Sequence, residues 1–197
     1  MSTTAHGRLL GRATGRRNAG ERCELCEAPV RGEHGHVVEA RSAEVLCACR
    51  ACALLFEPDG GGHFLRVPDR RLRLAGLRPA DLGIPVSLAF FVTAPDGSAT
   101  AHYPSPLGAT RSDLDAPAWQ AVAAGAGELR TMRPLVEALL VNGVRGAGEC
   151  WLVPIDDCYR LMALVRGEWT GMSGGDQVWA KIAQYFAQLD DARPHRG

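Results

Sequence analysis

Five cysteines near the start of the chain are the residues whose types and spacing most clearly indicate chemistry. Cys23 and Cys26 form one Cys-x-x-Cys pair, and Cys49 and Cys52 form a second pair after a spacer spanning residues 27–48. Two thiolates at this spacing can bind one ion from a tight turn, and two such turns supply the four sulfurs of a tetrahedral site. The pattern therefore predicts one bound metal, Zn²⁺ first, with Fe as the alternative because both accept four thiolates.

Three further residues of the same segment are alternative ligands. Cys47 lies two residues before Cys49, and the Cys-x-x-Cys spacing favours Cys49 and leaves Cys47 as the spare thiol. His34 and His36 lie between the two pairs, and either could replace a thiolate. A histidine on the flank of a hairpin is more often a surface residue, or one that donates a hydrogen bond to a ligand.

The residues around the cysteines predict how the pairs are brought together. Residues 36–40 and 44–47 are short β-type runs joined by a three-residue turn, which indicates a hairpin. Residues 52–57 favour a helix that ends before Pro58 and a run of glycines. This layout resembles a treble-clef zinc finger, in which a cysteine turn is followed by a hairpin and by a helix that begins at a second cysteine pair. The amino end of that helix would stabilise thiolates.

The chain beyond the cysteines predicts one α+β domain. Two strands are expected, then a helix capped by Asp115, two more strands and two helices, a ββαββαα order that favours an antiparallel sheet with helices on one face. The strands are expected at residues 85–92, 99–103, 136–141 and 150–155. The last two helices are expected to begin at Asp156 or Asp157 and at Ser173. The domain boundaries predicted are a flexible basic arm at residues 1–22, a four-cysteine metal-binding module at 23–62, the α+β domain at 63–190 and a flexible tail at 191–197.

No convincing catalytic set is visible in the α+β domain, so the sequence favours a protein that is not an enzyme. Cys158 begins a helix, but the two aspartates before it oppose its ionisation, and a buried core thiol is expected there. Cys150 lies among apolar neighbours and is expected in the core as well. His102 and Ser105 are close in sequence, but no carboxylate is placed to orient the histidine as a base.

Charge and composition limit the partners and the compartment. The chain has 22 basic and 22 acidic residues, so no net field attracts nucleic acid or an anionic membrane. Residues 1–20 lack the apolar core of a signal peptide, and no run reaches the roughly 20 apolar residues of a membrane span. We therefore expect a cytoplasmic protein, in which clustered Cys-x-x-Cys pairs bind metal rather than form disulfides.

Several segments carry a resemblance to a known group of proteins. Residues 151–161 (WLVPIDDCYRL), 169–175 (WTGMSGG) and 103–110 (YPSPLGAT), with the cysteine segment, resemble an uncharacterised actinobacterial family whose genes often lie beside those of high-affinity, oxygen-tolerant NiFe hydrogenases. The resemblance implies an accessory protein that supports assembly or function of a hydrogenase by contacting a hydrogenase subunit or a maturation protein. One departure is Glu27, at a position where a glycine is expected after the cysteine turn.

Two other functions remain open from the sequence. A rubredoxin-like carrier would hold iron at Cys23, Cys26, Cys49 and Cys52 and transfer one electron. A nucleic-acid-binding zinc finger would use the cysteine module with the arginines of residues 1–22, although the zero net charge disfavours it. The colour of the protein separates the iron carrier from a zinc-binding accessory protein, because an oxidised iron centre with four thiolate ligands is red and a zinc site is colourless.

Overall fold

The structure is a computed structural model, and it describes residues 21–30, 32–58, 62–82, 87–105, 108–169 and 175–191. Within these residues the chain is a mixed α+β protein built on antiparallel sheets. The predicted basic arm and tail lie outside the described residues, apart from positions 21, 22 and 191. The predicted helix start at residue 173 lies outside them as well.

The N-terminal part of the chain is a three-stranded antiparallel sheet followed at one end by a short helix. The central strand β1 (Gly35–Glu39) pairs with β2 (Glu44–Ala48) on one side and with β3 (Phe64–Arg66) on the other. Helix α1 (Arg50–Ala53) begins directly after β2. The predicted hairpin is therefore present, and β3 extends its sheet from beyond residue 62.

The second sheet has six antiparallel strands in the order β4-β9-β8-β5-β6-β7. Its central strands β5 and β8 consist almost entirely of buried residues, so both faces of the sheet must be covered. The strands are β4 (Leu72–Arg73), β5 (Leu88–Thr93), β6 (Ala99–Ser105), β7 (Gly108–Leu114), β8 (Glu137–Asn142) and β9 (Glu149–Pro154).

Helices cover both faces of this sheet, so the expectation of helices on one face was wrong. Helices α3 (Ile155–Glu168) and α4 (Gly175–Asp191) pack on the face that carries Phe90 and Trp151. Helix α2 (Ala116–Ala123) packs through Trp119 on the opposite face, which also carries Leu139 and Leu152. Neighbouring residues of one strand point to opposite faces of the sheet. In β5 and β9 such neighbours are both apolar, as in Phe90 with Phe91 and Trp151 with Leu152.

Short 3-10 helices lie in the described connections, at Pro79–Leu82, Gly127–Thr131 and Val144–Gly146. The predicted cap of α2 is present, because Asp115 Oδ1 accepts a hydrogen bond from the backbone N–H of Ala118 at 2.9 Å. None of the helices in the described parts of the chain is long and apolar enough to cross a membrane.

The three-stranded sheet shares the core of the larger sheet. Val38, Val45 and Leu65 lie in one apolar cluster with Trp151 and with residues of α3 and α4. The opposite face of the small sheet has its own cluster, whose buried members are Val37, Ala48 and Ala53. One face of β1 therefore packs against the domain, and the other face packs against α1 and the cysteine turns.

Two neighbouring arginines between β3 and β4 bind buried carboxylates of the domain. Arg70 donates from Nε and Nη2 to the two oxygens of Glu137, at 2.8 Å each. Arg71 donates from Nε to Asp157 Oδ2 at 2.6 Å and from Nη2 to Oδ1 at 3.2 Å. Both carboxylates are almost completely buried, so the arginines compensate charges that water cannot reach.

We predict that Arg70→Leu lowers the free energy of unfolding by about 2–3 kcal/mol, because it removes the bidentate partner of the buried Glu137 carboxylate. The effect is smaller than for a completely buried pair, since the Arg70 side chain is one-third exposed and Arg133 Nη1 lies 3.6 Å from Glu137 Oε1. Urea denaturation followed by circular dichroism measures the change. The control is Arg145→Gln, which removes an ion pair with the exposed Asp176 and should leave the midpoint unchanged. Equal midpoints for the two variants would contradict the prediction.

Candidate metal centres

The first cysteine pair lies on a tight turn that is closed by backbone hydrogen bonds. The N–H of Glu27 donates to the Cys23 carbonyl oxygen at 2.8 Å, and the N–H of Cys23 donates to the Ala28 carbonyl oxygen at the same distance. A further backbone hydrogen bond, from Glu24 N–H to the Cys47 carbonyl oxygen at 2.8 Å, attaches the turn to β2. This contact brings the first pair to the end of the hairpin where the second pair begins.

The second pair lies at the amino end of α1. Cys49 is the N-cap residue with extended backbone dihedrals, and its Sγ accepts a hydrogen bond from the Cys52 N–H at 3.4 Å. A thiolate in the N-cap position satisfies one of the free N–H groups of the helix and interacts favourably with the helix dipole. β2 ends at Ala48, so Cys49 lies outside the strand, and its sulfur joins those of the first pair whereas that of Cys47 does not.

The four sulfurs of these pairs converge on one point. The Sγ atoms of Cys23, Cys26, Cys49 and Cys52 all lie within 4.8 Å of one another. The sulfurs of Cys26 and Cys49, which belong to different pairs, are 3.7 Å apart. A tetrahedron with metal–sulfur bonds of about 2.3 Å has edges of about 3.8 Å. The four residues predicted from the sequence therefore form a cluster with the dimensions of a tetrathiolate metal site.

The electrostatics of the cluster favour a cation among the sulfurs. Burial alone would raise the pKa of Cys23, but backbone N–H groups of Cys49, Leu25 and Cys26 donate to its sulfur and lower the pKa to about 6. The neighbouring sulfurs, Cys26 foremost, raise the pKa of Cys52 to about 12. One thiolate therefore forms readily and opposes ionisation of Cys52. A divalent cation offsets this repulsion and allows all four to bind as thiolates.

The departure noted at Glu27 has a conformational consequence. Glu27 has a φ of 61°, in the left-handed region that a residue with a Cβ adopts only at a cost. Its side chain is exposed, and its carbonyl oxygen accepts a hydrogen bond from Arg22 Nη1 at 2.9 Å. The turn thus has the backbone shape that would suit glycine, and the chain forms it with a glutamate.

The second candidate cluster contains the three alternative ligands. One ligand atom each from His34, His36 and Cys47 lies within 4.8 Å of the others, in a group that shares no residue with the four-cysteine cluster. His36 and Cys47 are direct partners in the β1–β2 ladder, so their side chains lie on the same face of the sheet. This is the face that packs against the domain, as the burial of Val38 shows.

A carboxylate from the α+β domain contacts one of these histidines. The Oδ2 atom of Asp156, in the first turn of α3, lies 3.1 Å from His36 Nδ1. Burial alone would lower the pKa of His36, but hydrogen bonds to Asp156 and Cys47 raise it to about 9. From the sequence Asp156 was predicted only as a helix start. No local pattern identifies the contact, because it depends on how the small sheet packs against α3.

The remaining thiols and the discounted histidine lie in the interior. Cys150 and Cys158 are buried, and burial, followed by the charges of Asp157 and Asp156, raises the pKa of Cys158 well above its usual value. The ring of His102 stacks on Phe90 with centroids 4.5 Å apart. These positions suit structural roles in the core better than reaction with a substrate.

Comparison with known proteins identifies a family. A protein-family model described as a family of unknown function, DUF5947, matches residues 22–193, which include both cysteine pairs and both sheets. No curated protein and no solved structure matches the chain. The family match covers the fold and both clusters, and it brings no activity with it.

We predict that Glu27→Gly stabilises the metal-loaded protein by up to about 1 kcal/mol, because glycine adopts the left-handed conformation without steric cost. The greater conformational entropy of glycine in the unfolded chain cancels only part of this gain. Chemical denaturation of the two proteins measures the difference. The control is Glu27→Ala, which removes the exposed side chain but keeps the Cβ, and should leave the stability unchanged. A gain of the same size in the alanine variant would show that charge, rather than conformation, is responsible.

Proposed function

The chain belongs to this family of unknown function, and we propose that it is a metal-binding accessory protein whose four-cysteine cluster holds one structural Zn²⁺. The observation that carries the proposal is the convergence of four sulfurs from two separated Cys-x-x-Cys pairs within 4.8 Å. Four protein thiolates complete a tetrahedron around zinc and leave no coordination position for a substrate. The arrangement therefore supports a structural role for this ion.

The size of the N-terminal module supports the same role. Among the described residues, the apolar cluster on the cysteine side of the small sheet has three buried members, Val37, Ala48 and Ala53, and the other side chains packed against them are only partly buried. Such a core is too small to stabilise the cysteine turns and α1 by burial alone. Structural zinc sites supply folding free energy directly. The turn, hairpin and helix order supports assignment of the module as a treble-clef-like finger.

An exposed apolar surface beside the cluster supports a role in protein contacts. Leu54 and Leu55 follow α1 directly and are 61% and 76% exposed, and they are the large apolar residues that the described part of the chain exposes. The zinc would fix α1 through Cys49 and Cys52, and it would thereby fix the position of both leucines. Two adjacent exposed leucines form a small apolar patch that is suited to pack against an apolar groove of a partner.

The proposed partner is a NiFe hydrogenase subunit or one of its maturation proteins. This part of the proposal rests on the resemblance of residues 151–161, 169–175 and 103–110 to the family encoded beside such hydrogenases. We propose that the contacts are made in the cytoplasm, the compartment expected from the sequence. Binding of nucleic acid gains no support, since the chain has zero net charge.

A rubredoxin-like electron carrier is the second candidate function. It is favoured by the backbone N–H groups of Leu25, Cys26 and Cys49 that donate to the Cys23 sulfur, because such hydrogen bonds tune the reduction potential of iron–thiolate centres. An iron centre would make the purified protein red, and cycles of reduction and reoxidation would bleach and restore the colour.

We predict that the purified protein is colourless, and that serine at Cys23, Cys26, Cys49 or Cys52 removes one equivalent of tightly bound zinc and unfolds the module. The loss is large because structural zinc contributes on the order of 10 kcal/mol. Metal analysis after dialysis, together with circular dichroism, measures both effects. The control is Cys47→Ser, a thiol of the same hairpin outside the cluster, which should retain the tetrathiolate ion. Loss of that ion in Cys47→Ser with full retention in Cys49→Ser would contradict the ligand assignment.

We predict that deleting the gene lowers hydrogen uptake while hydrogenase transcripts stay unchanged, and that a tagged copy recovers hydrogenase subunits or maturation proteins. Complementation with Leu54→Ser/Leu55→Ser should fail although the variant keeps its zinc, because the apolar contact surface is lost. The control is Ala51→Ser, an exposed change on the preceding helix α1, which should complement fully. Normal hydrogen uptake in the deletion strain would refute the proposed partnership.

A further inference from the structure

We propose that His34, His36 and Cys47 form a second site for a divalent transition-metal ion, separate from the four-cysteine cluster. It lies where the small sheet meets helix α3. The inference goes beyond the proposed structural zinc and does not depend on it. It rests on the positions of three side chains and on the groups that hold the two imidazole rings.

The backbone brings the three ligand atoms together. His36 and Cys47 are directly opposite in the β1–β2 ladder, so their side chains are neighbours on one face. His34 lies just before β1, and its ring is 4.9 Å from the ring of His36. The three ligand atoms lie within 4.8 Å of one another, and tetrahedral nitrogen and sulfur ligands are about 3.5 Å apart. Small rotations of the two imidazole rings would shorten the distances between ligand atoms to those of a tetrahedral site.

In the neutral ring, the hydrogen bond of His34 favours the tautomer that leaves Nε2 free to bind a metal. Its Nδ1 lies 3.0 Å from the Gly32 carbonyl oxygen, which can only accept, so Nδ1 carries the proton. The lone pair is then on Nε2. That atom is buried and has no hydrogen-bond partner among the described residues. An unsatisfied buried acceptor is costly, and a metal ion bound by His34, His36 and Cys47 would satisfy it.

His36 has the same arrangement with a stronger acceptor. Its Nδ1 faces Asp156 Oδ2 at 3.1 Å, and Arg160 Nη2 lies 3.6 Å from the same carboxylate oxygen. A histidine that donates from one ring nitrogen to a carboxylate and binds a metal with the other is the usual arrangement at zinc sites. The ion would take the place of the proton on Nε2, between His36 and Cys47.

The same residues also have the order of a nucleophilic triad, with Cys47 as thiol, His36 as base and Asp156 as orienting carboxylate. Two observations favour the metal. His34 has no part in a triad, yet it contributes a ring nitrogen to the same group of ligand atoms, and its buried Nε2 has no hydrogen-bond partner among the described residues. Cys47 is only 9% exposed, which leaves little access for a substrate to its sulfur.

The ligand set indicates the kind of ion and what it would do. Two imidazoles and one thiolate suit Zn²⁺ and Co²⁺, and a water molecule or an outside ligand would be the fourth ligand. The metal ligands come from the hairpin, and Asp156 comes from α3. An ion here would therefore strengthen the docking of the N-terminal module on the domain. Its fourth position would be open to exchange, unlike that of a tetrathiolate site.

The test is titration of the metal-free, reduced full chain with Co²⁺, followed by visible spectroscopy. Two equivalents should bind, one with the intense sulfur charge-transfer bands of a tetrathiolate and one with weaker bands of a single-thiolate tetrahedral ion. His34→Gln should lose the second equivalent and keep the first, which reports that the module is folded. Asp156→Asn should weaken the second site about 10–100-fold. The control is His63→Gln, an exposed histidine outside both clusters, which should keep both equivalents.

Several results would overturn the proposal. Binding of only one equivalent to the unaltered chain would do so, and so would retention of the second equivalent by His34→Gln. Rapid alkylation of Cys47 by iodoacetamide that is abolished by His36→Gln, unaffected by His34→Gln and unaffected by saturating Zn²⁺ would identify the triad instead. Protection of Cys47 by Zn²⁺, lost in His34→Gln, supports the metal site.

Discussion

Four cysteine sulfurs within 4.8 Å of one another repel as thiolates, and a metal cation makes their approach favourable. The rest of the N-terminal module would depend on that condition. Among the described residues, the apolar cluster beside the cysteine turns and α1 has three buried members and otherwise consists of partly buried side chains, which is a small core to hold the turns together. The ion would therefore determine the position of α1 and of the leucines that follow it.

Strand β1 links the cysteine module to the larger domain, because its two faces pack against one of them each. Its residue Val37 is buried towards the cysteine side, and Val38 is buried in the core that contains Trp151 and the two long helices. His36 lies on the domain side as well and contacts Asp156 of α3. Binding or loss of a metal ion in the module would therefore act on α3 through Val38 and His36 of β1.

The sequence was sufficient for features that depend on local pattern, and insufficient for contacts between distant elements. The Cys-x-x-Cys spacing predicted which sulfurs converge, and apolar runs predicted β5, β8, β9 and the helices after them. Strand β7 escaped prediction because its polar alternation becomes a strand only through pairing with β6. The arginine–carboxylate pairs and the contact of His36 with Asp156 join residues far apart in sequence, so no spacing identifies them.

Zinc X-ray absorption spectroscopy on the His34→Gln variant, in which only the four-cysteine cluster should be loaded, tests the tetrathiolate site most directly. We predict one zinc per chain with a single shell of four sulfur atoms at about 2.3 Å. A first shell containing nitrogen or oxygen, or a metal-free protein whose four cysteines have paired as disulfides, would contradict it.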